Sequence, residues 1–441
     1  MLYRPRRNSL ALVSLLASTA LPVAALTATA PFAISAAQAL TQDVTLDNIK
    51  IDLPPKSDGK GTVTIKKAVF EGTNLSKEEV AKFFSLATPP EEARALAAKM
   101  TAAKISIPEV AFAFEAAKDK DISSGSALLK DFLALKVDQG KAAKFSLGGA
   151  EASAKKGDAD VFKAVIGSYT VEDADFSSLL AALKQGDLSA AMVKYSKVAF
   201  SGAEVSVVDS GTAAGSPGGN LMKFKMGPGT AAASFDGDIF RKGSGEIGSI
   251  TMEFPKASQA GQALAAFGYD KLDVGFKASA TYDPASKKLV VEDYTITGVN
   301  AGALSFKGQF GSIEPALFST GDKDAKMKAV MGADFSAMTL KFVNSGLADK
   351  GLAFASAMQK KSPEALKGEI TGMAKAMIPG VLGGDTGKKI SDAVVAFVTT
   401  PKNLTIDVKA KSGAMKFVEL GAVKNPMELL PKLDLGAVAN Q

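Results

Sequence analysis

Apolar and polar side chains alternate without a break from Leu272 to Tyr282. Leu272, Val274, Phe276, Ala278, Ala280 and Tyr282 fall on one side, and Asp273, Gly275, Lys277, Ser279 and Thr281 on the other. A period of two predicts a half-buried strand. Asp283-Pro284-Ala285-Ser286 has the composition of a turn. The chain then returns with Val290, Tyr294 and Ile296 on the same face, and Leu304, Phe306 and Phe310 extend that face in a third strand. Ala278, Ala280, Ala301 and Ala303 keep it low, which suits close helix packing or an apolar ligand.

Similar patterning runs along the rest of the chain. Val44–Leu53 and Thr62–Phe70 read as strands joined by a Pro54–Gly59 turn, and Ser76 with Glu79 forms a capping box that opens a helix through Phe84. A second helix is expected from Pro90 to about Ala103, with Glu91 and Glu92 favouring its N-terminus. Ile105–Phe114 reads as strand, and short alternating runs from there to about Ser168 suggest a β-meander. Val69–Phe83 and Thr170–Lys184 both run from a strand through a cap residue into an amphipathic segment, and Ala333–Ser336 repeats the tetrapeptide Ala174–Ser177. This recurring strand-to-helix unit leaves duplication as a minor reading.

Gly211–Gly219 has neither apolar period nor charge and reads as a linker. Beyond it, helices are expected at 257–267, Gly346–Lys360, Ser362–Ile378 and Ile390–Val398. Pro379-Gly380 should stop the third of these, and a last helix should begin at Asn425-Pro426. Pro401 precedes a strand carrying Leu404, Ile406 and Val408. Long strands with segregated helices indicate an antiparallel α+β fold, with curved sheets covered by helices on one face. The expected division is 1–39, a leader; 40–210, a β-rich domain with strand-to-helix units; and 220–441, an antiparallel sheet with helices.

The leader changes the picture of charge and location. Arg4, Arg6 and Arg7 precede an uncharged run from Leu10 to Ala30, and Ala37-Gln38-Ala39 matches a signal-peptidase site. Export with cleavage after Ala39 is therefore expected, placing the protein in the periplasm; retention of the run as an anchor is the alternative. Arg6-Arg7 also resembles a twin-arginine signal, although Asn8-Ser9-Leu10 follows that pattern only loosely. Loss of three arginines brings the net charge from +6 to +3. With no basic stripe left, a nucleic-acid partner is not expected.

The chain contains no cysteine and no histidine. Disulfide staples, a Ser-His-Asp or Cys-His nucleophile, and metal sites built on imidazole or thiolate are thereby excluded. The surviving motifs each have a plainer explanation. Gly243-Ser244-Gly245-Glu246-Ile247-Gly248 has G-x-G-x-x-G spacing, but an alternating strand follows it where a dinucleotide site needs a helix, so a hairpin turn is expected. Ser57-Asp58-Gly59-Lys60 fits S-x-x-K, yet Pro54, Pro55, Gly59 and Gly61 oppose the helix that chemistry requires. Glu172-Asp173-Ala174-Asp175 and Asp236-Gly237-Asp238 offer oxygen ligands without an EF-hand frame. No cofactor, metal or catalytic residue is expected.

The run "ATYDPASKKLVVEDYTITGVNAGALSFKGQF" and the ending "TPKNLTIDVKAKSGAMKFVELGAVKNPMELLPKLDLGAVAN" resemble a group of uncharacterised exported proteins of bacterial envelopes. In style they are also similar to AsmA-type envelope proteins, whose apolar-faced sheets imply lipid handling. The expected function is a non-catalytic envelope binding or structural module, with lipid or other envelope components as partners and no membrane span in the mature chain. The candidate ligand face is Leu272, Val274, Phe276, Ala280, Tyr282, Leu304, Phe306 and Phe310. The alternatives are a hydrolase using paired carboxylates and an outer-membrane β-barrel. Against the barrel stand the absence of Trp, the six Tyr and the interrupting helices.

Overall fold

The computed structural model describes residues 41–56, 59–116, 122–176, 194–208, 221–237, 239–318, 323–422 and 426–441. The leader, Ser57-Asp58, the second helix of the recurring unit, the Gly211–Gly219 linker, Asp238 and Asn425 lie outside them. The chain divides into two compact units, one ending at Val207 and the other starting at Val208.

The first unit is an antiparallel meander. Its strands are β1 (Gln42–Lys56), β2 (Gly59–Thr73), β3 (Thr101–Ala116), β4 (Ser124–Asp138), β5 (Lys141–Leu147), β6 (Gly149–Lys156), β7 (Ala159–Ile166), β8 (Tyr169–Asp175), β9 (Lys197–Phe200) and β10 (Ala203–Val208). The registers Leu133↔Ser146 and Lys130↔Gly149 are in step, so β5 and β6 are one long strand interrupted at Gly148. By the same reasoning β7 with β8, and β9 with β10, are single long strands broken at 167–168 and 201–202.

These breaks fall on one line. Extending the registers places Asp47, Lys67, Pro108, Asp131, Gly148, Ser168 and Ser201 side by side across the sheet, with Asn48 next to Asp47 at its end. Asn48 (φ 53°) and Asp131 (φ 52°) adopt left-handed backbone there. Asx residues tolerate that conformation better than most. Gly148 is needed because a Cβ would lie 2.7 Å from the Asp131 side chain.

The line acts as a row of bulges. Buried Ile105 and Ile107 precede it on β3, and buried Val110 and Phe112 follow, so the apolar parity changes while the face stays the same. A second line passes through Gly72, Ala103, Lys136, Ala143 and Asp173, with left-handed backbone at Gly72 (φ 60°), Lys136 (φ 50°) and Asp173 (φ 49°). Because every strand takes the extra residue at the same place, the ladder remains in register.

Two helices close over this face. α1 (Lys77–Lys82) starts at the expected capping box, in which Glu79 N–H donates to Ser76 Oγ and Ser76 N–H donates to Glu79. α2 (Pro90–Lys99) is shorter than expected; β3 starts at Thr101, with buried Ala102 before the bulge at Ala103 and buried Ile105 after it. Val80, Phe84 and Leu96 from the helical segment join Phe70, Ile107 and Phe132 in the core.

The second unit is also antiparallel. β11 (Leu221–Met226) and β12 (Gly229–Asp236) share one register against β13 (Ile239–Glu253). Then follow α3 (Gln259–Ala266), β14 (Leu272–Asp283), β15 (Lys288–Gly298), β16 (Gly302–Gly311), α4 (Lys323–Gly332) and β17 (Asp334–Asn344). Three helices come next, α5 (Leu347–Gln359), α6 (Pro363–Leu382) and α7 (Gly384–Thr399). The unit ends with β18 (Asn403–Ala410), β19 (Met415–Lys416), α8 (Phe417–Ala422) and β20 (Leu433–Ala439). Strands β13 to β18 pair in chain order and β20 adds beside β18.

Three expectations are corrected here. The Gly243–Gly248 motif lies inside β13, not in a turn; the turn is at Gly237 (φ 59°), and a Cβ on Gly243 would stand 2.9 Å from the Phe240 ring. α6 runs through Pro379 and ends at Gly383 (φ 70°), where the left-handed backbone suits glycine. The segment from Pro426 forms two 3-10 turns and then β20 instead of a helix, because Leu433, Leu435, Ala437 and Ala439 alternate as a strand.

Candidate functional site: the apolar face of the second unit

The register of the second unit aligns apolar side chains strand by strand. One row runs Ile247, Phe276, Ile296, Leu304, Phe342, Leu404. The next runs Gly245, Ala278, Tyr294, Phe306, Leu340, Ile406, and a third Gly243, Ala280, Val291, Gly308, Met338, Val408. All three project to the same side. The reverse side is polar: Ser249 donates to Asp273 at 2.7 Å and Thr339 to Asp407 at 2.6 Å.

One end of the face is closed. Phe318, from a 3-10 turn, stacks on Phe240 at 5.1 Å and lies 4.8 Å from Tyr282. Phe417 of α8 packs on Phe310 at 6.0 Å and Phe335 at 6.1 Å. Tyr282 is buried and its O–H donates to the Ile313 carbonyl at 2.8 Å; burial raises its phenol above the ordinary tyrosine range. Toward the other side, Phe397 of α7 meets Phe342 edge-on at 5.9 Å.

The middle is open. Tyr294, Ile296, Leu304 and Leu340 remain 42, 39, 43 and 41% exposed, and they adjoin one another through Ile296↔Leu304 and the shared neighbour Phe306. Beside them the strands β12 to β14 present only Ala231, Ala233, Gly243, Gly245, Ala278 and Ala280 in the second and third rows, a floor without relief. Exposed apolar side chains thus adjoin a floor of small residues on the same side of the sheet.

The eight residues singled out from the sequence share the apolar side of the sheet: Leu272 and Val274 opposite Met252 and Ile250, Phe276, Ala280, Leu304 and Phe306 in the rows above, and Tyr282 and Phe310 in the closed end. The last two belong to the plug and are not part of the open floor. Val290 is on the polar side, opposite Thr281, because a bulge at Glu292-Asp293 moves Val291 onto the apolar side. Ala303 pairs with Thr297 and Val343 on the polar side, and Ala301 sits in the β15–β16 turn. Leu340 was within reach of sequence reasoning, since Met338, Leu340 and Phe342 alternate.

Elsewhere, the expected carboxylate cluster is spread along β8, where Asp173 accepts from Ser196 at 2.7 Å on the second bulge line. Among the described residues no three candidate ligands converge on a metal position. A cleft of about 360 Å³ in the first unit, between β1 and α1, brings Asp47 and Lys77 to an otherwise mixed wall of Leu46, Ile49 and Phe84. No helix among the described residues is long and apolar enough to cross a membrane.

A family model described as an uncharacterized protein matches residues 295–440. That span begins in β15 just after Tyr294 and takes in Ile296, Leu304 and Leu340 of the open patch together with helices α4 to α8 and β20. No curated protein matches the chain.

Proposed function

We propose that this chain is a non-catalytic, exported envelope module whose second unit holds a lipid tail or similar apolar ligand against β14–β17. The observation that carries this reading is the joined patch of Tyr294, Ile296, Leu304 and Leu340, each still about two-fifths in water beside the Ala/Gly floor. Covering what remains exposed would contribute about 1 kcal/mol per side chain, since full burial of a large apolar residue is worth about 1.5–3 kcal/mol. Helices α5–α7 are the covering elements in this picture, with Phe397 on Phe342 as the contact that supports it. The leader composition supports export. Free edges at β1 and β20, each paired on one side among the described residues, count against a closed barrel.

Titration of the purified chain with a fluorescent fatty acid tests the proposal. Saturable binding is expected, and Ala278→Leu, which raises the floor, should weaken it at least tenfold without lowering the melting temperature. Thr339→Val, on the polar side, should leave it unchanged. Equal binding by all three proteins, or none by the parent, would refute the reading.

A further inference from the structure

We propose that β20 is an edge made for pairing with β20 of a second copy of this chain. The bonds Asn440 N–H to Asn403 O and Lys411 N–H to Lys432 O set the phase of the β18–β20 ladder. Asp434, Gly436 and Val438 therefore turn their backbone groups toward β18, and Leu435, Ala437 and Ala439 turn theirs outward. Among the described residues none of these outward groups meets a partner.

An open edge is normally protected by charge, proline or a bulge. The edge strand of the first unit, β1, has all three: Asp47, Lys50 and Asp52, the Pro54-Pro55 pair, and left-handed Asn48. β20 carries one charge, Asp434, and neither proline nor left-handed backbone.

The sequence of β20 fits itself. Full antiparallel overlap of two copies centres on Gly436, which sets Leu435 against Ala437 and Leu433 against Ala439, large against small, on the apolar side. Asp434 then faces Val438, so no like charges oppose. The two-fold axis runs perpendicular to the sheet, and the apolar side passes from one copy into the other. α7 lies against this side of β20, with Asn440 donating to the Ala396 carbonyl at 2.9 Å, and among the described residues the outward groups of the strand stay unbonded.

Because the chain has no cysteine, single-cysteine variants give a clean reading. Gly436 would face its own counterpart as a non-hydrogen-bonded pair, about 4.5 Å between Cα atoms and within disulfide reach. A Cβ there lies 3.8 Å from Asp407, an ordinary contact. Under oxidation Gly436→Cys should yield a two-chain species, and Val438→Cys should not.

Sedimentation equilibrium of the unaltered chain should give twice the chain mass. Ala437→Pro removes an outward N–H only, so it should return the mass to one chain with an unchanged circular dichroism spectrum. A single-chain mass for the parent at roughly 100 μM, well above a micromolar Kd, would overturn the proposal. So would equal cross-linking at positions 436 and 438, cross-linking at neither, or a co-purifying foreign strand on this edge.

Discussion

Tyr282 shows how much rests on single side chains. It ends the alternating run that starts at Leu272, yet its role is to close one end of the face: its ring meets Phe318 and its O–H reaches Ile313 O. Tyr282→Phe should cost about 1 kcal/mol, the net worth of a neutral hydrogen bond. Its raised phenol adds a pH signature. The stabilisation it gives is complete below the unfolded tyrosine value and disappears as pH rises through the higher folded one. Thermal melts between about pH 9 and pH 11 should therefore fall more steeply for the parent than for Tyr282→Phe.

At the scale of elements, α6 is the instructive case. Pro379 removes one backbone donor and crowds the preceding turn, but Gly383 N–H still reaches Pro379 O at 2.9 Å and the helix continues to Leu382. Replacing an interior proline gains up to about 3 kcal/mol of helix propensity, so Pro379→Ala should raise the melting temperature, readable by calorimetry. Two helix N-termini were legible because Ser76 and Ser362 each accept from a backbone N–H of the first turn, whereas α7 has no side-chain cap and starts at Gly384, before the expected Ile390. Strand faces were legible only where no bulge intervened. Along Leu272–Tyr282 the alternation is unbroken and matches the two sides of β14, whereas the bulge at Glu292-Asp293 shifts parity and leaves Val290 on the polar side. The glycines of β13 mimic a turn because nothing local reveals the ring of Phe240 above them. The candidate face emerged from alternation; its open patch did not, since exposure depends on where the covering elements stop.

For the whole molecule, the charge distribution predicts a flat response near neutrality. No histidine or cysteine is present to titrate there. Hydrogen bonds from Lys99 and from Ser76 N–H hold Glu79 below the ordinary carboxylate range, and Lys130 does the same for Glu151. Groups lowered in this way stabilise above their unfolded values and lose that contribution as pH falls through the folded ones. The melting temperature should hence be level between about pH 5 and pH 9 and drop on either side; a sharp step near pH 6.5 would contradict this.

The aligned bulges of the first unit carry one more consequence. Deleting Asp131 alone would turn the hydrophobic residues of half of β4 toward water while neighbouring strands kept theirs inside. Length changes are tolerable at hairpin tips, or in every strand at once at the same latitude. Descendants of this chain should therefore differ in loop length far more readily than in the distance between successive turns.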